Sequence, residues 1–300
     1  MKKYLLLFAA LIVATSMSAQ FYVSGSAGYA TGSSDMLLGT KITATQTENS
    51  YGSYGEGANY QFRAGYFFND TFGVDLGLAY LHGTDQTVQK VDIANYRNTN
   101  AIARARAMGL SASVVYKFSK HIYGRFGALI KVGGKTEAVV SDQNYYAVAP
   151  EPGVSPGVTV ATAFGVPDGS YLQTNYKEDY HGVLPLGFAG AFGYKHDLNE
   201  NLSLFLEAEY LGISVKRDYS EITEFNTDLV LPNGDIAAAG VKSLDNLPDG
   251  YVIKTTYVDT LSNTNTDPSK ELSQKVPYSS FGINFGITYT FGSKKEAKTN

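Results

Sequence analysis

From Tyr60 to Tyr80 every second position is apolar or aromatic. Tyr60, Phe62, Ala64, Tyr66 and Phe68 lead to an Asn69-Asp70-Thr71 break, and Phe72, Val74, Leu76, Leu78 and Tyr80 follow it. The positions between them are Gln61, Arg63, Gly65, Phe67, Gly73, Asp75, Gly77 and Ala79, mostly small, polar or charged. Side chains of a strand alternate between two faces, so this period predicts a hairpin with one greasy and one polar face. Such a hairpin suits a soluble sandwich as well as a barrel in lipid, and the rest of the chain has to decide.

The same period recurs downstream. Met108, Leu110, Ala112, Val114, Tyr116 and Phe118 share a face, and after Ser119-Lys120 so do Ile122, Phe126, Ala128, Ile130 and Val132. Leu184, Leu186, Phe188, Phe192 and Tyr194 form another row, then Leu202, Leu204, Leu206, Ala208 and Tyr210. Phe281, Ile283, Phe285, Ile287, Tyr289 and Phe291 form the last, and Phe21, Val23, Ala27 and Tyr29 a weaker first. The pattern predicts about eight strands near the ~9–11 residues a tilted membrane strand needs.

Connection lengths separate the two folds. Tight joints are predicted at Asn69–Thr71, Ser119–Lys120 and His196–Asn201, while the connections at about 31–57, 83–104, 137–178 and 219–276 are long and hydrophilic. Long structureless connections are uncommon in compact soluble domains. Short turns alternating with long loops around an even number of strands instead predict an all-β fold, an eight-stranded antiparallel up-and-down transmembrane β-barrel with long extracellular loops and periplasmic termini. The stretches "DLVLPNGDIAAAG" and "VIKTTYVDTLS" in the last loop are candidate strands rising above the membrane. Tyr66, Phe68, Phe72, Tyr116, Phe118, Tyr194, Tyr289 and Phe291 would make the girdle at the inner interface.

A one-residue slip in register would turn Arg63, Asp75, Arg125, Glu207 and Glu209 into hydrocarbon. Each basic group at the midplane would then cost about 2–4 kcal/mol, the acidic ones less. The charges therefore point inward, where an eight-stranded barrel has room for side chains and little else. Arg63 and Asp75 are predicted diagonal neighbours, and Arg125 with Glu207 and Glu209 completes a lumen charge network read as a plug of ion pairs, with proton relay or ion passage as the alternative reading of the same cluster.

Composition agrees with this picture: Tyr 23, Phe 16 and Gly 31 favour strands and turns. The formal net charge of -4 gives no basic footprint for nucleic acid. Lys2 and Lys3, the apolar run "YLLLFAALIVA" and the small residues "TSMSA" predict a signal peptide over residues 1–19, cleaved after Ala19 or after Ser18. The barrel then spans 20–292 and a periplasmic tail 293–300. With Cys 0, thiol catalysis, cysteine-ligated zinc, disulfides and cysteine-borne lipid are excluded.

The segment from Asn284 through Gly286 and Tyr289 to Phe291 resembles the terminal-strand signature of outer-membrane proteins, with polar, glycine and aromatic residues at the same spacing, though a tail "GSKKEAKTN" follows it here. That resemblance implies delivery to the barrel assembly machinery, with Asn284, Gly286, Tyr289 and Phe291 as the assembly signal. The pattern over about 20–292 resembles the small eight-stranded barrels of the outer-membrane protein A and X type, without the peptidoglycan-binding domain of the first. It implies a monomer in the outer membrane, in contact with lipid and lipopolysaccharide, whose loops face an extracellular ligand or host surface.

Little catalytic chemistry is legible. His121 and His196 fall at predicted turns; His82 with Asp85, and His181 with Asp179, fall near the outer rim. No His-x-Ser pair of the lipid A deacylase kind is present, and "VGGKT" at 132–136 lacks the Walker spacing. Asp259-Thr260-Leu261 resembles an O-glycosylation site. The sequence therefore predicts no enzyme, no metal and no cofactor, and a barrel that displays loops for surface interaction or envelope integrity. A narrow pore or hydrophobic-solute conduit of the outer-membrane protein W type is the first alternative, a rim-active hydrolase the second.

Overall fold

The computed structural model describes residues 20–145 and 159–291. The predicted signal peptide and tail lie outside the described residues. Eight strands form a closed antiparallel meander: β1 (Gln20–Gly32), β2 (Gly57–Phe67), β3 (Phe72–Gly83), β4 (Arg97–Lys117), β5 (Ile122–Asn144), β6 (Leu186–Asp197), β7 (Leu202–Gly212) and β8 (Ser280–Thr290). Each pairs with the next, and β8 returns to β1 in a ladder running from Tyr22 opposite Thr290 to Gly32 opposite Ser280. Closure leaves no unpaired backbone edge, the condition for crossing hydrocarbon with strands.

The three tight turns share one device. Asn69 Oδ1 accepts from the backbone N–H groups of Thr71 and Phe72 at 2.9 and 2.8 Å, and Asn199 does the same for Asn201 and Leu202. Ser119 Oγ plays this part for His121 and Ile122. A short polar side chain that satisfies two turn N–H groups lets the chain reverse in a few residues. Around these turns lie the aromatic residues of the girdle, in pairs such as Phe72–Tyr116, Tyr116–Phe118 and Tyr289–Phe291.

The predicted greasy rows all point out of the barrel: Leu76 is 68% exposed, Phe126 65% and Phe62 56%. An apolar belt that encircles the molecule far exceeds any patch a water-soluble monomer carries, so its medium is lipid. The opposite rows fill the lumen.

At the other end the barrel does not stop. The stretches read as hydrophilic loops are largely strand, because β4 and β5 run on past the belt, and new strands take the places vacated by their neighbours. Gln86–Ile93 pairs with upper β4 in place of β3, and Tyr171–Gly182 pairs with upper β5 in place of β6. Ser214–Val230 pairs in turn with Tyr171–Gly182, and carries Ile236–Ser243, Lys254–Val258 and Lys275–Pro277 along its other edge. A hairpin of Met36–Thr43 and Thr47–Gly52 joins through a parallel pairing with Gln86–Ile93. A five-residue helix, α1 (Val160–Phe164), is capped by Thr159.

This upper tier reverses the polarity of the alternation. Along β4, Met108 and Leu110 point out and are exposed, whereas two residues higher the outward positions become Arg106 and Arg104 and the inward ones Ala107, Ala105, Ala103 and Ala101, all buried. The reversal marks where the surrounding medium changes from hydrocarbon to water. Inside, Ala103, Ala105 and Ala107 pack with Tyr54, Leu129, Ile213, Val215, Val276 and Tyr278 into an apolar roof over the barrel.

Candidate functional site

The lumen is where the chemistry-bearing side chains converge. Arg63 on β2, Arg125 on β5 and Glu207 and Glu209 on β7 each occupy an inward position, and all four are nearly or fully buried. Arg63 Nη1 donates to both oxygens of Glu207 at 2.9 and 3.0 Å. Arg125 Nη2 bridges the two glutamates, 2.8 Å from Glu207 and 2.6 Å from Glu209. Tyr123 donates its hydroxyl to Glu207 at 2.8 Å, and Gln61 and Asn284 donate to Glu209 at 2.6 and 3.1 Å. Glu207 is 0% exposed and takes bonds from three residues. Four buried charges are tolerated only with partners of this number and geometry.

Asp75 enters differently from the expected pairing. It does lie diagonally from Arg63 on the β2–β3 ladder, but the guanidinium turns across the lumen to Glu207, and Asp75 instead accepts the hydroxyl of Tyr22 at 3.1 Å. Reach explains the difference: the Arg63 side chain spans the narrow lumen, and Glu207 offers two oxygens to it.

Tyr22, Tyr123, Gln61 and Asn284 belong to the network and were not read from the sequence as part of it. Asn284 and Gly286, singled out as half of the assembly signal, both face inward, while Tyr289 and Phe291 sit in the aromatic girdle. The glycines opposite the inward rings were the available clue. Tyr22 lies opposite Gly65, Tyr123 opposite Gly193 and Phe205 opposite Gly286, and a Cβ on any of these glycines would stand 2.3–2.4 Å from the ring. Each ring lies flat across the neighbouring strand, a pairing that compensates for glycine in a sheet. Gly193→Ala is therefore expected to push Tyr123 off Glu207 and destabilise the barrel by about 1–3 kcal/mol, the usual cost of overpacking. Denaturant titration of the refolded variant checks it, and Gly25→Ala, where a Cβ meets nothing within 4 Å, is the control.

The network cuts the lumen in two. Above it lies a cavity of about 80 Å³ lined by Ala79, Leu81, Leu129, Leu211 and Ile213, with Gln61 and Glu209 in its floor. Below it lies one of about 60 Å³ lined by Tyr22, Arg63, Asp75 and Arg125 and by the lysines of the short-turn end. The two share no lining residue.

The rim histidines are not paired with the neighbouring acids. Asp179 bonds Lys135 at 2.7 Å and Asp85 lies 3.5 Å from Arg104, while His181 stacks on Tyr219 at 4.5 Å between centroids. Glu137 joins this rim. Burial opposes its charge, but bonds from Arg104 and Lys135 outweigh that and hold its carboxyl below the usual range. Among the described residues no cluster of acids and histidines could hold a metal ion. Thr260 of the Asp-Thr-Leu triplet is exposed, with Asp259 paired to Lys216.

The model of a family described as outer membrane protein beta-barrel domain matches residues 4–242. Among solved structures, a major outer membrane protein of Thermus thermophilus aligns with 91% of this chain and 99% of its own at 12% identity, TM-score 0.37. Ail, the attachment invasion locus protein of Yersinia pestis, aligns over 92% and 100% at 10% identity, TM-score 0.31. OprG of Pseudomonas aeruginosa aligns over 91% and 96% at 12% identity, TM-score 0.32. No curated protein matches the sequence significantly.

Proposed function

Because the chain belongs to the outer membrane protein beta-barrel domain family, we propose that it is a non-conducting, non-enzymatic outer-membrane barrel whose work is done by its upper tier, as a surface for contact outside the cell or for envelope integrity. In this reading the short turns and both strand ends face the periplasm, and the long connections face outward.

The observation that carries it is the occluded lumen. An ion or solute entering from either end meets the Arg63–Arg125–Glu207–Glu209 network, and from above it meets the Tyr54–Tyr278 roof first. Opening a path would mean separating buried charges from their partners, at several kcal/mol per ion. The upper tier gains from this rigidity, because its strands are continuations of β4 and β5 and inherit their position from a closed barrel. The absence of any paired histidine and acid at the rim, among the described residues, supports the non-enzymatic part.

Purified barrel in planar lipid bilayers is expected to give no stable conductance steps at neutral pH. A steady ohmic conductance in the wild-type protein would overturn the reading and favour a narrow pore. Protease treatment of intact cells is expected to cut within the long connections and spare the short turns.

A further inference from the structure

The lower cavity has a feature that the plug does not use. Its wall on the short-turn side carries two inward ammonium groups, Lys117 on β4 and Lys195 on β6. Lys117 stands opposite Tyr123, and the backbone N–H of Lys195 donates to the carbonyl of His121 at 2.7 Å, so both lysines flank the beginning of β5. The Lys117 ammonium rests 3.7 Å from the centre of the Phe67 ring and takes part in none of the hydrogen bonds or ion pairs of the described residues. Lys195 forms an ion pair with Asp197 at 3.7 Å, and Asp197 and Asp70 are the carboxylates whose charge also reaches Lys117, neither of them in the cavity lining. Two like charges turned into one partly enclosed space call for a counter-charge between them.

A second, independent observation points the same way. Arg125 is 5% exposed and lines this cavity and not the upper one. Its Nη2 is committed to the glutamates, yet its Nε–H is buried with no acceptor. A buried charged donor left without a partner costs more than an ordinary unmade bond. Asp75 lines the same cavity one pair farther along the ladder than Arg125, at the level of Ser113 and Gly127; its Oδ2 accepts from Tyr22 and its Oδ1 has no partner, so it is the carboxylate the ion has to stand away from.

We propose that this cavity is a binding site for a small oxyanion of phosphate size, held between the ammonium groups of Lys117 and Lys195 with Arg125 Nε at its inner edge and His121 at the rim. The volume of about 60 Å³ suits the ion, since a single water needs about 10–15 Å³ of the same measure. The site lies inside the closed strand ladder, so a lipid headgroup has no lateral route to it and the ligand is the free ion.

The test is calorimetric titration of the folded full-length barrel, in detergent micelles and chloride buffer, with inorganic phosphate. Saturable binding is expected, weakened about tenfold or more by Lys117→Gln or Lys195→Gln, the loss that follows from removing one charge-assisted bond. Lys41→Gln, which removes an exposed cation from the opposite end, is expected to leave the affinity unchanged. Gel mobility of unheated samples confirms that each variant is folded. No saturable binding by folded wild type, wild-type affinity in both lumen variants, or an equal loss in Lys41→Gln each overturns the site. None of these outcomes depends on whether the barrel conducts.

Discussion

Glu207→Ala is expected to destabilise the barrel by about 3–5 kcal/mol, the cost of leaving buried charges without their partner. Glu207 is the junction of the network: both arginines and Tyr123 donate to it. Arg125 would keep Glu209, but Arg63 would retain only Ser24, at 3.4 Å, and the face of Phe205 at 5.0 Å from the ring centre. The loss is therefore concentrated on Arg63. That makes a specific cycle available, because removing Arg63 as well takes away the stranded charge. The double variant Arg63→Ala/Glu207→Ala is expected to be more stable than the sum of its single losses predicts, by a coupling of up to about 3 kcal/mol. Urea unfolding from lipid vesicles, followed by gel mobility of unheated samples, gives all four stabilities. A cycle that sums without coupling would show that Arg63 and Glu207 do not meet in the lumen. The singly substituted Glu207 variant is also the one in which conductance is expected to appear first.

Leu76→Arg is the second large effect expected, at about 2–4 kcal/mol of lost stability in bilayers if Leu76 sits near the midplane. The prediction discriminates because Leu76 is 68% exposed. On a soluble protein a substitution at such a position changes stability by about half a kcal/mol at most. Here the arginine would replace a side chain that faces acyl chains, on the strand carrying Val74 and Leu78 outward beside it. Arg106, on the outward face of the neighbouring β4 but above the polarity reversal, supplies the contrast. Arg106→Leu is expected to cost far less, losing chiefly the bonds to the Gly83 and Ala105 carbonyls. Measuring both in vesicles places the hydrocarbon boundary on β4 between Arg106 and Ala112, the residue opposite Leu76, and equal effects of the two would place it elsewhere.

What the sequence determined by itself is everything that depends on period and medium. A strand repeats every two residues, so Tyr60 to Tyr80 is enough to sort side chains into two faces, and eight such rows separated by alternately short and long joints are enough to define an up-and-down barrel. The cost of charge in hydrocarbon then sends Arg63, Asp75, Arg125, Glu207 and Glu209 inward without any coordinates. The upper tier was less legible. There the polar face is outside and the apolar face inside, as in Ala101–Ala107, and such rows read as loop when the search is for greasy exteriors. The signal was present as a phase reversal within one strand.

Partner choice in the lumen was decided only by the tertiary structure. Arg63 and Glu207 lie 144 residues apart in the chain, and nothing local prefers that pairing to the nearby Asp75. It follows from closure of β8 on β1, which sets the circumference and so the reach of each side chain across the interior. The β7–β8 ladder put Asn284 against Glu209 and laid Phe205 over Gly286, and closure of the wall turned Lys117 and Lys195 into one cavity. Alternation tells each residue which side of the wall it occupies; the diameter of the closed wall tells it whom it meets.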